Sequence, residues 1–483
     1  MDQTNPLIQQ RLTKLENLKE LGIDPFKGHF TPSETCKQAR DQYEEGRQVS
    51  LCGRMTAHRE MGKSRFFDLK DQSDRIQIYA KKNLIGDQAW QILDLLDLGD
   101  FMGIKGPLFT TKTGEISVKM EELTLLGKAI RPMPEKWHGL ADTETRYRQR
   151  YLDLMANPQV KETFINRSRI LKEIRTFLDK RGFMEVETPM MQPIPGGAAA
   201  QPFVTHYNAL NSDFFLRIAL ELNLKRLLVG GLDRVFELGR NFRNEGLSRR
   251  HNPEFTMLEV YQAYGDYRSM MELTQSLICE VAQNVLGTLT IEHKDAEGNA
   301  IRTIELDGEW KEIRYKDLVR EKGGTDWFDL SAEERISRAE SLGVDLGEKF
   351  EDFEVSNALF EKLIEPTLIQ PTFVTHLPKE LIPLAKISPE DSSCVEVFEL
   401  CINGQEIAPA YTEQNDPITQ RMQLEDQAGG EQQKLDEDFL VSLEHGMPPA
   451  GGMGMGVDRL CMMLLGQESI RDVILFPQLK PKN

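Results

Sequence analysis

The sequence predicts an α+β chain in which a small N-terminal β-barrel precedes a larger domain of antiparallel strands flanked by helices. Three observations carry this prediction. From about Val49 to Leu126, short alternating segments punctuated by glycine (SLCGRMTAHRE, SRFFDLKD, RIQIYA, DFMGIKGPLFTTKTG, EISVKMEELTLL) recur at the spacing of a five-stranded Greek-key barrel of the OB type. Beyond residue 150, strands and helices mix without βαβ regularity, which favours an antiparallel sheet over a parallel one. A length of 483 residues suffices for two separate cores.

In chain order, residues 1–48 form a helical segment, with Leu12, Leu15, Leu18 and Leu21 at helical spacing before Gly22, the pattern of a helix docking on its neighbour. The barrel takes 49–128. Residues 129–150 form a linker: AIRPMPEKWHGL carries two prolines, and Arg146, Arg148 and Arg150 follow as either a solvated helical face or an RNA contact. The second domain takes 151–483. It begins with a helix over 160–181 stopped at Gly182, and the strand FMEVETP then closes on Pro189. The charged, mainly helical stretch of about 266–370 reads as an insertion into it.

Formal net charge is −18, so any grip on nucleic acid comes from local basic surface rather than a global field. The six cysteines show no CxxC pair and no zinc spacing, as expected of reduced thiols in a cytoplasmic protein. The N-terminal residues lack a signal-type pattern and no apolar run approaches eighteen residues, so neither secretion nor a membrane span is expected.

Two segments carry chemistry. RVFELGRNFRNEGLSRRHNPEFTMLEVYQAY, residues 234–264, has the form strand, basic loop, strand. Two-residue alternation puts Phe255, Met257, Glu259 and Tyr261 on one face, while Arg243, Asn244, Glu245, Arg249, Arg250 and His251 concentrate donors suited to a triphosphate. In VFELCINGQEIA, Asn403-Gly404 joins two apolar runs as a two-residue hairpin turn. Cys401 then faces Glu406, so Glu399 and Glu406 lie diagonally on one face, where a hard divalent cation would relieve their repulsion.

These residues also carry a resemblance. FRNEG followed by RRHNPEF resembles motif 2 of the class II aminoacyl-tRNA synthetases, in the wording of the lysyl family. The helix, Gly182 and Pro189 resemble motif 1, which implies a homodimer, and GMGMGVDRL at 452–460 resembles motif 3. TAHREMGKSRFFDLKDQSDRIQIY, RYRQRYLDLM, PGGAAAQPF, LEHGMPPAGGMGMGVDRL and IRDVILFP extend the likeness over nearly the whole chain. The resemblance implies a class II catalytic domain that activates lysine with ATP and Mg2+ and transfers it to the 3′ end of tRNA(Lys). By position it implies that Arg243 bridges the α-phosphate and the substrate carboxylate. Glu245, His251, Asn252 and Phe255 hold the nucleotide, with Arg459 stacked opposite Phe255. Glu399 and Glu406 bind magnesium. Gly197 and Glu221 meet the α-amino group; Glu259, Tyr261 and Glu413 meet the side-chain ammonium, with Tyr411 alongside. Phe66, Gln77 and Glu122 read the anticodon.

The chain departs from the family pattern in EIAPAYTE, where Pro409 replaces an Asn that helps hold the substrate carboxylate. A bulge at Ala408 and Pro409 is expected, since strict alternation would turn Tyr411 and Glu413 away from Glu406. Leu220 and Asn223 stand where the family tends to show Pro and Tyr, and Gln201 replaces an Arg. Asn223 is expected to supply part of the missing donor. The competing readings are a ligase that attaches lysine or β-lysine to a protein, disfavoured by the barrel, and a non-catalytic RNA-binding paralogue, disfavoured by Arg243, Glu399, Glu406 and Arg459.

Overall fold

A computed structural model describes residues 5–133, 140, 142–295, 297–346, 351–428 and 435–481. The chain divides into two compact units, Met1–Leu140 and Ala141–Asn483.

The first unit opens with helix α1 (Pro6–Glu20). Asn5 caps it by accepting from the Leu7 amide, Pro6 fits its first turn, and Ile8, Leu15 and Leu18 are buried. Strands β1 (Gln48–Met61), β2 (Ser64–Lys70), β3 (Arg75–Lys81), β4 (Phe101–Thr110), β5 (Ile116–Lys119) and β6 (Glu122–Gly127) follow, with helix α2 (Lys82–Leu95) between β3 and β4. The long β1 pairs through its first half with β4 and through its second half with β2. The ladder therefore runs β1–β2–β3–β5–β4 and returns to β1, which removes the exposed edges that an open sheet would leave. Alternation fixes which residues face inward. Phe67, Leu69, Ile76 and Ile78 fill the barrel with Leu51, Met102, Ile104 and Val118, while Phe66 and Gln77 face out.

In the second unit, helix α3 (Pro158–Lys180) leads into the main sheet. Its strands are β7 (Met184–Glu185), β8 (Arg234–Phe242), β9 (Glu254–Ala263), β10 (Lys311–Arg314), β11 (Thr372–Thr375), β12 (Val397–Ile402), β13 (Gln405–Thr412) and β14 (Ala450–Gly456). Their order is β10-β11-β12-β13-β14-β9-β8-β7, antiparallel throughout except at the two edge pairs. One face is apolar: Leu258, Val260, Phe398, Leu400, Met453 and Met455 pack against Ile170, Ile174 and Phe177 of α3 and against a helix over Tyr267–Leu286. The opposite face carries the polar residues of the site.

The stretch 266–370 is more than a helical insertion. The Tyr267–Leu286 helix belongs to the main core, β10 extends the main sheet, and Thr290–Lys294 pairs with Ala300–Glu305 as a hairpin. The arginines after the linker are not an open basic face either. Arg150 is fully buried, bonding Asp153 and the carbonyls of Arg471, Ile474 and Leu475; Arg146 pairs with Asp153, and Arg148 with Glu144 and the Lys480 carbonyl. Among the described residues, no helix is long and apolar enough to cross a membrane.

Candidate active site

The β8–β9 pair sets out the polar face. Register puts Asn241 opposite Phe255, Gly239 opposite Met257 and Glu237 opposite Glu259. Arg243 extends from the end of β8 and stands 5.2 Å over the Phe255 ring, its Nε 3.5 Å from the Ile218 carbonyl. Burial lowers its pKa from the usual value against the pull of Glu245, Glu406 and Glu259, and among the described residues no carboxylate lies within ion-pair distance of it. A desolvated guanidinium left in this state is available to an anion.

The β8–β9 loop and helix α4 (Val457–Leu464) complete a cavity of about 200 Å3 lined by Arg243, Glu245, His251, Asn252, Phe255, Glu406, Pro409 and Arg459. Ser248 Oγ lies 2.9 Å from His251 Nδ1, and Arg459 Nη2 donates to His251 Nε2 at 3.0 Å. Burial and the Arg459 charge depress the His251 pKa, so it accepts as a neutral ring. Asn252 donates to the Glu254 carbonyl and to Gln478, both at 2.6 Å, whereas Glu245 is exposed at the rim. Arg459 also reaches Glu406, at 3.0 Å to its carbonyl and 3.3 Å to its carboxylate. Behind it, Asp458 accepts from the Thr256 amide at 2.7 Å and pairs with Arg167 of α3 at 2.6 Å, which fixes the start of α4 against β9.

The hairpin β12–β13 turns at Asn403 and Gly404, both with positive φ (58° and 69°), the requirement of a type I′ turn. Cys401 pairs with Glu406 and Glu399 with Pro409. The register shifts between Leu400 and Cys401, so the extra residue is Ile407, one place earlier than expected. That bulge puts Glu406, Pro409 and Tyr411 on one face and leaves Pro409 just past the irregularity, where a missing donor is tolerated. Glu399 makes no hydrogen bond or ion pair among the described residues. Burial, then Glu406, Glu365 and Glu361, push its pKa well above the carboxylate range. Glu361 lies in a π-turn, Phe360–Ile364, and Glu365 accepts from the Glu406 amide at 2.9 Å while facing Arg250 at 3.7 Å. Neither stood out in the sequence, because both reach the site from a distant segment.

A second cavity, about 130 Å3, is lined by Gly197, Glu221 and Tyr411 among others. Gly197 has φ +86°, and a Cβ there would press on Ala219 at 3.0 Å, so the tight backbone approach needs glycine. Glu221, Glu259 and Glu413 are all buried. Tyr411 donates to Glu221 at 2.6 Å, Tyr261 donates to Glu259 at 3.0 Å, and the Leu220 amide donates to the other Glu259 oxygen at 3.0 Å. Glu413 lies against Gly452 of β14, where any Cβ would overlap its carboxylate. Burial and Glu221 raise the Glu259 pKa to about 7, and burial raises that of Glu413 despite Lys225 beside it. Lys225 was missed in the sequence. Its signal was a lysine four residues after Glu221 on the buried stripe of the helix Glu221–Val229.

Asn223 does not replace the donor absent at Pro409: its side chain accepts from Arg226 and lines a different cavity. Gln201 meets the loop through its carbonyl, which accepts from the Asn244 amide at 2.7 Å. On the barrel, Phe66 packs at a tilt against Tyr79 (5.0 Å between ring centroids) and Tyr79 meets Phe109 edge to face (5.8 Å). Gln77, two residues from Tyr79, accepts from Ser117 at 3.0 Å. Glu122 is exposed and pairs with Lys105 at 2.7 Å, with no bond to Phe66 or Gln77 among the described residues.

Residues 142–480 match the family of class II tRNA synthetases (D, K and N), and residues 49–126 match the OB-fold nucleic acid binding domain. The chain is 49% identical to the lysine–tRNA ligase of Carboxydothermus hydrogenoformans, over 99% of both chains. It is 48% identical to that of Moorella thermoacetica, over 100% of this chain and 99% of the relative, and 46% identical to that of Staphylococcus epidermidis over the full length of both. The match of residues 142–480 to the class II synthetase family and the full-length likeness to lysine–tRNA ligases place this chain in the lysine–tRNA ligase family of class II tRNA synthetases.

Proposed function

We propose that this chain activates lysine with ATP and transfers it to the 3′ end of tRNA(Lys). The observation that carries this reading is the joint burial of Glu221, Glu259, Glu413 and Tyr261, with the half-buried Tyr411 and Arg243 alongside. A desolvated ammonium requires paired charge and several acceptors, and three carboxylates and two phenol oxygens supply them. The same charge rejects amino acids with acidic side chains.

In the first step the lysine carboxylate attacks the α-phosphorus, forming the acyl–phosphate bond of lysyl-adenylate and expelling pyrophosphate. Arg243 pairs with the carboxylate and the α-phosphoryl oxygens, so it aligns the attack and stabilises the charge that develops. Phe255 and Arg459 sandwich the adenine, and Glu245, His251 and Asn252 position the nucleotide. Gly197 and Glu221 orient the α-amino group, and Glu259, Tyr261 and Glu413 take the side-chain ammonium. In the second step the terminal 3′-hydroxyl of the tRNA attacks the acyl carbon and AMP leaves.

Magnesium fits the donor set. Glu399 and Glu406 would hold it, and Glu399 is a crowded carboxylate with no ion pair among the described residues. Among the described residues, no group of three or more His, Cys, Asp or Glu side chains could hold a metal ion. When bound, it neutralises charge on the ATP phosphates.

Phe66 is assigned to stack an anticodon base and Gln77 to read its edge, with Glu122 as a further contact. A homodimer is assigned to the surface around β7, where Met184, Met190, Met191, Val204, Tyr207 and Tyr264 are exposed. The test is aminoacylation of tRNA(Lys) with labelled lysine, together with lysine-dependent ATP–pyrophosphate exchange. Charging and exchange with lysine support the reading. Exchange without charging, or no exchange, contradicts it.

A further inference from the structure

One fully buried ammonium lies among the pocket's carboxylates with no part in the steps above. Lys225, one turn after Glu221, sits with its Nζ 2.7 Å from Glu221 Oε1, paired with Glu413 Oε2 and 3.3 Å from the Leu384 carbonyl. It also lies 5.6 Å from the centroid of the Tyr411 ring. A single cation thus joins a carboxylate assigned to the α-amino group and one assigned to the side-chain ammonium.

Stability alone does not account for it. A buried ion pair recovers its desolvation cost poorly, and an apolar side chain of similar volume is commonly as stable or more so. Charge counting gives a different reason. Glu221, Glu259 and Glu413 carry three negative charges when ionised, and Lys225 offsets one. The remaining two match an amino acid with two ammonium groups whose carboxylate goes to Arg243.

We propose that Lys225 is a positioning and specificity-setting residue, which holds Glu221 and Glu413 in place and sets the pocket charge to that of a diamino acid. This rests on the lysine reading above. The ionisable groups that face the cluster are Glu221, Glu259, Glu413, Tyr261 and Tyr411, with Arg243 acting on Glu259.

The experiment measures lysine-dependent exchange on the full chain carrying Lys225→Met, against wild type. The lysine KM should rise about tenfold or more, as for an uncompensated buried charge, while the ATP KM stays within about twofold and kcat at saturation falls far less. The acid limb of kcat/KM for lysine should move up by about one pH unit, since Glu413 loses the cation that favours its ionisation. Lys225→Arg should return that limb towards wild type. Unchanged lysine KM and acid limb in Lys225→Met would overturn the proposal.

Should Lys225→Met fail to fold, Lys225→Met/Glu413→Gln removes both halves of one pair. Charge counting requires its lysine KM to be no higher than that of Glu413→Gln alone. A value about tenfold higher would make Lys225 a packing residue and sink the proposal. Absence of lysine-dependent exchange in wild type would instead refute the underlying reading.

Discussion

In the proposed reaction Arg243 is the residue on which activation turns: it is half-buried, stands over an aromatic ring and beside a carbonyl, and among the described residues no carboxylate lies within ion-pair distance of it. Arg243→Ala should lower kcat for lysine-dependent exchange by roughly a hundredfold or more, on the scale of losing one transition-state donor. Single-turnover adenylate formation measures this. The carboxylates add a pH dependence. Glu259, raised to about 7, binds an ammonium only when ionised, so kcat/KM for lysine should fall as pH drops through about 7 while the ATP KM does not follow. The folded state keeps this proton up to a higher pH than the unfolded chain does. The substrate-free fold therefore loses stability between about 4.5 and about 7, and lysine should raise Tm more at about pH 8 than at about pH 6. Glu259 and Tyr261 were legible as one face because strand alternation is a local property. Lys225 was not, since Glu413, one of its two carboxylate partners, lies 188 residues further along the chain and only packing brings them together.

At the scale of the element, the hairpin β12–β13 is where sequence reasoning reached furthest and then stopped. Asn403-Gly404 announces the turn, and its positive φ values and the Cys401–Glu406 pair follow from that chemistry. The bulge falls at Ile407 rather than beside Pro409, because Ile407, Ala408 and Ala410 are all needed in the core while Glu406 and Tyr411 stay on the site face. Gly404 has a second constraint: a Cβ there would lie 2.8 Å from the Pro366 carbonyl oxygen. Gly404→Ala should cost about 1–3 kcal/mol from strain at positive φ and crowding, and should raise the ATP KM by tilting Glu406. Thermal unfolding and exchange kinetics read the two effects. Glu361 and Glu365 arrive from the far end of the 266–370 stretch, so no local pattern tied them to this hairpin.

For the whole molecule, both units were legible as types: the barrel from its five glycine-punctuated strands, the second sheet from the absence of βαβ order. Helix α2 and the entry of β10 into the main sheet were not, since neither has a strong periodic signature. Phe66→Ala should lower kcat/KM for tRNA charging by about tenfold or more, the scale of one lost base stack, with tRNA-independent exchange as the control. The central claim is that buried glutamates read a substrate ammonium, and it is tested most directly by kcat/KM for lysine against norleucine, which lacks only that ammonium, in pyrophosphate exchange. Buried carboxylates that norleucine would leave without their ammonium predict a preference for lysine of about 10⁴-fold. A ratio within about tenfold would contradict the account.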